Sequence, residues 1–107
     1  SINGSRIVLV GFAYKRNTGD ARESPSVRLA DLLLPLGAHV VAVDPHVDPG
    51  YLARHSSEQV EDLSGVAEAD LVVLLVDHDD VDLEPLADAP RVLDTRGVLA
   101  GENVERL

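Results

Sequence analysis

RIVLVGFAYKRNTGDARESPS, Arg6 to Ser26, joins a strand to a helix through one long polar loop. Ile7–Val10 is a short continuous apolar run, led by Arg6 and ended by Gly11, as in a strand buried on both faces of a parallel sheet. At the other end, Ser24 before Pro25 is a helix start: a hydroxyl that can cap, then a proline at the position where its missing N–H costs nothing. Between them runs a polar loop built on the turn formers Thr18, Gly19 and Asp20. That loop holds Lys15, the one lysine among nine basic residues, at the carboxyl end of a strand, where open α/β sheets bind their ligands.

The alternation continues outward. Val27, Ala30 and Leu34 recur at helical spacing, Gly37 stands where a C-terminal cap belongs, and Pro35 should tighten or end the last turn early. His39–Val43 reads as a second strand, stopped by Asp44-Pro45. The polar, turn-rich segment from His46 to His55 reads as a loop, and Ser57–Ala67 as a helix with Val60, Leu63, Val66 and Ala67 on its apolar face. Leu71–Val76 is the clearest strand, Val81–Ala87 a short helix, and Arg91–Leu93 a fourth strand leading into Asp94-Thr95-Arg96-Gly97. Glu102–Leu107 is too short to assign. Strands alternating with helices in one domain, residues 1–107, imply a Rossmann-like α/β fold: an open, mostly parallel sheet with helices on both faces.

Composition removes whole classes of function. The net charge of −10 argues against nucleic acid or an anionic membrane as partner, since both need basic patches. The absence of cysteine excludes a disulfide, a thiolate metal site and a cysteine nucleophile within these residues. His39, His46, His55 and His78 have no paired ligand spacing, so no metal site is expected. No apolar run is long enough to cross a bilayer and no secretory signal is visible. With no methionine, the chain reads as a piece of something longer.

An NAD site of the ordinary Rossmann kind is the first hypothesis to test. Asp44 falls at the end of the second strand, where a ribose-binding acid would sit. The glycine fingerprint is missing, however: Gly11-Phe12-Ala13 replaces the paired glycines, and Pro25 stands fourteen positions after Gly11. A pyrophosphate cannot reach that helix through a tight turn. The long loop needs another use, and Lys15, Arg16 and Arg22 form a local cationic cluster suited to an anionic ligand. The competing reading is that Arg22 pairs with Asp20 or Glu23 while Lys15 and Arg16 are merely solvated. Arg96, after the fourth strand, emerges on the same sheet edge as Lys15; it either converges on that crevice or pairs with Asp94 to order its own turn. A receiver-like phosphotransfer domain is disfavoured, because no paired acids follow the first strand.

GFAYK (Gly11–Lys15), TGD (Thr18–Asp20), RESP (Arg22–Pro25), GAHVVAVDP (Gly37–Pro45), VDHDD (Val76–Asp80) and DTRGVL (Asp94–Leu99) follow in order along nearly the whole chain. This set resembles the C-terminal domain of the UDP-glucose/GDP-mannose dehydrogenase family of nucleotide-sugar 6-dehydrogenases. The resemblance implies a UDP-binding domain of a cytoplasmic, homodimeric enzyme that oxidises the C6 hydroxyl of a UDP-sugar, UDP-glucose or UDP-N-acetylhexosamine, to a carboxylate with NAD. NAD binding would fall mainly to an N-terminal domain, dimerisation to a central helical region, and the catalytic cysteine to those same missing portions. It further implies that Tyr14 and Lys15 touch the sugar nucleotide, that Arg96 does so from the fourth-strand motif, and that Arg22 reaches across the interdomain cleft to NAD. Asp20 would brace the loop, Ser24 cap the helix, and Asp44-Pro45 and His78 end strands. Tyr14 departs from the usual phenylalanine, and Pro35 interrupts a helix that family members continue. The alternative class is a stand-alone nucleotide-binding or regulatory module that shares the fold without dehydrogenase chemistry.

Overall fold

The computed structural model describes residues 2–107. Six strands form one parallel sheet: β1 (Arg6–Val10), β2 (His39–Val43), β3 (Glu58–Gln59), β4 (Leu71–Leu74), β5 (Val92–Asp94) and β6 (Val104–Arg106), in the spatial order β3-β2-β1-β4-β5-β6. The period of two in each central strand sorts the core into two layers. Ile7, Leu9, Val40, Ala42 and Val73 point to one face, and Val8, Val10, Val41, Val43, Val72 and Leu74 to the other. Both sets are buried, which is why these segments are apolar throughout rather than alternating. Each such valine, leucine or isoleucine contributes roughly 1.5–3 kcal/mol on leaving water.

The first face is covered by α1 (Pro25–Leu33) and α2 (Pro49–Arg54), through Val27, Ala30 and Leu52. Ser24 caps α1 as expected, accepting from the Val27 N–H at 3.3 Å. Pro35 shortens it: after Leu33 the chain tightens into a 3-10 turn, Leu34–Leu36, and Gly37 closes it at φ 90°. Among the described residues, the second face carries no α-helix. It is covered by the 3-10 turns Val66–Glu68 and Glu84–Asp88 with Leu63, Leu86, Leu99 and Val104.

Three segments depart from the sequence reading. His46–His55 is not all loop, because Asp48 caps α2 by accepting from the Tyr51 N–H at 3.1 Å. Asp48-Pro49 repeats the Ser24-Pro25 signature, and that was the missed signal. Ser57–Ala67 is not a helix. Ser57 gives its N–H to the Val40 carbonyl (2.8 Å) and accepts the Val40 N–H at its hydroxyl (3.0 Å), which starts β3. Asp62 then folds back on the Ser64 N–H at 3.1 Å, making a local turn where a helix would need its backbone. The helix expected at Val81–Ala87 is the 3-10 turn Glu84–Asp88, and the expected fourth strand is β5. Among the described residues, no helix is long and apolar enough to cross a membrane.

Candidate functional site

The strand order reverses between β1 and β4, so their outgoing loops diverge to opposite faces and leave a crevice at the carboxyl edge. Gly11 begins the β1 loop at φ 90°, with Val76 of the β4 loop so close that a Cβ on Gly11 would lie 2.5 Å from the Val76 Cβ. Only glycine permits both the backbone angle and that approach.

Asp44 occupies the adjacent corner, at the end of β2. Its carboxylate is buried and accepts the N–H groups of Phe12 (2.8 Å) and Ala13 (2.9 Å) at one oxygen and of His46 (2.8 Å) at the other. His78, from the β4 loop, meets the first oxygen through Nε2 at 2.9 Å, with both side chains fully buried. The other ring nitrogen, Nδ1, accepts the Asn17 N–H at 2.8 Å, which puts the ring proton on Nε2 and makes it the donor to Asp44. His46 stacks on His78 with ring centroids 4.3 Å apart and meets Asp80 at 2.7 Å. Asn17 sits at φ 58° and is held there by the β4 loop, giving its side-chain N–H to Asp79 (3.1 Å) and accepting the Asp79 N–H (3.2 Å). Asp44 and His78 are therefore not simple strand stops. They bolt the loops after β1, β2 and β4 together, and fix the backbone on both sides of Lys15.

A second buried carboxylate does the same for the loop after β5. Asp94 accepts four backbone N–H groups, from Arg96 (2.8 Å), Gly97 (2.9 Å), Val98 (2.8 Å) and Leu99 (2.8 Å). Burial alone pushes the Asp94 carboxyl up, and it is the largest single influence; the four N–H donors together outweigh it and hold the group below the usual carboxylate range.

These supports present the cations. Lys15 is exposed, and among the described residues its ammonium has no hydrogen bond or ion pair. Tyr14, 65% exposed, is tied by its backbone N–H to the Asp20 carbonyl at 2.6 Å, which leaves its phenol facing solvent. Arg96 does not pair with Asp94 through its side chain. Its Nε–H goes to Asp77 at 3.1 Å, across from the β4 loop. Arg16 is not merely solvated either: it pairs with Asp79, donates to the Asp77 carbonyl at 3.1 Å, and lies 3.8 Å from the Asp77 carboxylate. Arg22 faces outward with 84% of its side chain exposed and grips Asp20 at 3.2 and 3.3 Å. The guanidinium beside Asp20 holds that carboxyl below its ordinary value, and Asp20 raises Arg22 in return. The structure thus brings Arg16 and Arg96 together over β4 through Asp77, and leaves Arg22 on a separate cleft with Val47, Tyr51 and Arg54. Among the described residues, no group of three or more His, Asp or Glu side chains is arranged to hold a metal ion.

The residues do not fit an NAD pocket within this domain. The acid that would take the ribose, Asp44, is buried with both oxygens committed to Phe12, Ala13, His46 and His78. The N-terminus of α1 is occupied too: Ser24 caps it, and Ser26 gives its hydroxyl hydrogen to the Gly11 carbonyl.

A doubly wound parallel sheet without the dinucleotide fingerprint, with Lys15 and Arg96 on loops either side of its switch point, is a Rossmann-like α/β domain. The chain belongs to the UDP-glucose/GDP-mannose dehydrogenase family, whose UDP binding domain matches residues 8–101. UDP-glucose 6-dehydrogenase YwqF of Bacillus subtilis (strain 168) is 35% identical over 109 aligned positions, covering 95% of this chain and 24% of that protein. UDP-N-acetyl-D-mannosamine dehydrogenase of Methanococcus maripaludis is 40% identical over 78 positions, 73% of this chain and 17% of that protein. Among solved structures, the UDP-glucose dehydrogenase of the archaeon Pyrobaculum islandicum superposes with a TM-score of 0.75 at 28% identity, covering 97% of this chain and 24% of that one. The chain thus spans about a quarter of the length of such relatives.

Proposed function

We propose that this domain, residues 1–107, binds the nucleotide of a UDP-sugar as the C-terminal part of an NAD-dependent 6-dehydrogenase. That enzyme would act on UDP-glucose or a UDP-N-acetylhexosamine. The observation that carries the reading is the placement of Lys15 and Arg96 on loops from β1 and β5, either side of the switch point, each fixed by a buried aspartate. Lys15 supplies a point charge with three donors for a phosphate or sugar oxygen, and Arg96 a planar fork for a phosphate. Tyr14 adds an exposed aromatic face beside them. Binding there would hold the C6 hydroxyl in place for hydride removal, a contribution of proximity rather than of bond making.

NAD and the dimer contacts fall outside this domain on this account, and Arg22 is the one residue here directed to the cofactor. The hydride acceptor, the catalytic thiol and the water for the second step would come from the rest of the enzyme. Steady-state kinetics of the full-length protein test this. Lys15→Ala and Arg96→Ala should raise KM for the UDP-sugar, and Arg22→Ala should raise KM for NAD. Unchanged constants for Lys15→Ala and Arg96→Ala would overturn the substrate assignment, and an inactive full-length protein would favour a regulatory module.

A further inference from the structure

Asp77 lies between two arginines, and the way it touches them is informative. One carboxylate oxygen is 3.1 Å from Nε of Arg96, and the other is 3.8 Å from Nε of Arg16. Asp77 is well covered, with 16% of its side chain exposed, whereas Arg16 and Arg96 are nearly half exposed. The contact to Arg96 uses only Nε. Its two terminal nitrogens make no hydrogen bond among the described residues. The guanidinium is thus held through Nε, with no hydrogen bond taken up by its outer fork. A carboxylate placed to neutralise Arg96 would be expected to take two nitrogens side by side, as Asp20 does with Arg22. Asp77 takes one.

We propose that Asp77 is a positioning residue: it fixes the Arg96 guanidinium so that its terminal nitrogens face a phosphate oxygen of the bound nucleotide. This rests on the nucleotide-binding reading of Arg96 given above. The neighbour in sequence supports it, because His78 is locked to Asp44 and Asn17, so the backbone that carries Asp77 is itself fixed. Asp77 also ties the β5 loop to the β1 loop through Arg16, which is further held by Asp79 and by the Asp77 carbonyl. Freeing the Arg96 side chain returns rotamer freedom that binding must then remove, an effect of roughly 2- to 10-fold on affinity.

The sign of the effect decides the matter. Asp77 is an anion beside an anion-binding site, so if it acted only through its charge, its removal would tighten UDP binding. The positioning role predicts the opposite. UDP titrated into the chain should bind Asp77→Ala about 2- to 10-fold more weakly than the unaltered chain. Asp77→Asn, which keeps an acceptor for Nε–H and loses the charge, should bind UDP more tightly than Asp77→Ala. In an Arg96→Ala background, Asp77→Ala should have no further effect. A ligand-free readout stands beside these: the 15N heteronuclear NOE of the Arg96 Nε–H should fall in Asp77→Ala and stay high in Asp77→Asn. Tighter UDP binding by Asp77→Ala, or an unchanged Nε–H signal, would overturn the proposal. If the unaltered chain fails to bind UDP, the nucleotide reading falls, and with it the phosphate that Asp77 is said to serve. The Nε–H signal alone then decides whether Asp77 orders Arg96.

Discussion

Replacing Asp44 by alanine is the perturbation with the largest consequence that the structure allows to be worked out. The carboxylate serves four donors, and three of them are buried: the N–H groups of Phe12 and Ala13, and Nε2 of His78. Alanine leaves all three without an acceptor. At about 1–3 kcal/mol for each orphaned buried donor, the loss spans roughly 3–9 kcal/mol. Removing a buried charge also removes its desolvation cost, which moves the net toward the lower end. A domain of this size is typically stable by about 5–15 kcal/mol, so Asp44→Ala should lose at least a fifth of its stability and can lose most of it. Asp44→Asn tests the reasoning more finely. Its amide oxygen can keep the three buried donors, while its NH2 faces the partly exposed His46 N–H, so it should retain much of what alanine loses. His78→Ala combined with Asp44→Ala should cost about 0.5–3 kcal/mol less than the sum of the two, because each removes the same contact. Urea unfolding followed by far-UV circular dichroism measures all four variants. A loss below about 1 kcal/mol for Asp44→Ala, or strict additivity with His78→Ala, would refute the description of Asp44 as the bolt of the three loops.

Gly11→Ala should destabilise by about 2–5 kcal/mol, since its Cβ meets Val76 at a positive φ; a thermal melt matching the unaltered protein would contradict that packing. Acid unfolding should report Asp94. Its folded value lies below the ordinary 3.8, so its stabilisation is present above that value and is lost as pH falls from about 4 through the folded value. Asp94→Asn should be less stable at neutral pH and lose less on acidification, and an acid limb as steep as the unaltered protein's would count against the four N–H bonds. Arg22→Ala should leave stability within about 0.5 kcal/mol of the unaltered protein, because its pair with Asp20 is exposed; a larger drop in the urea midpoint would show that the pair orders the loop.

What the sequence made legible follows from where the physics is local. The β1 run, the Ser24-Pro25 cap and the Pro35-Gly37 stop are each written within a few residues, and all three stand in the structure. The cation-bearing loops were legible as loops, and their location at the sheet edge follows from strand direction alone. Asp48-Pro49 is equally local, but the polar segment around it lacks the apolar periodicity that marks a helix. β3 was not readable: Glu58–Gln59 is polar, two residues long and defined only by pairing with β2. The polar supports were hidden for the same reason. Asp44 and His78 are 34 positions apart, and the Arg16–Asp77–Arg96 line joins three loops. An aspartate after a strand looks alike in sequence whether it ends the strand, binds a ribose or holds four donors. Only the folded geometry separates those cases.

UDP binding at the β1 and β5 loops can be measured by an NMR titration of the chain with UDP, with GDP and NAD alongside. UDP should produce saturable shifts centred on Tyr14, Lys15 and Arg96. Lys15→Ala and Arg96→Ala, both remaining folded, should each weaken that binding about 10- to 100-fold, the value of a charge-assisted hydrogen bond. UDP binding of equal strength in both variants, or saturable shifts with NAD alone, would contradict binding at those loops.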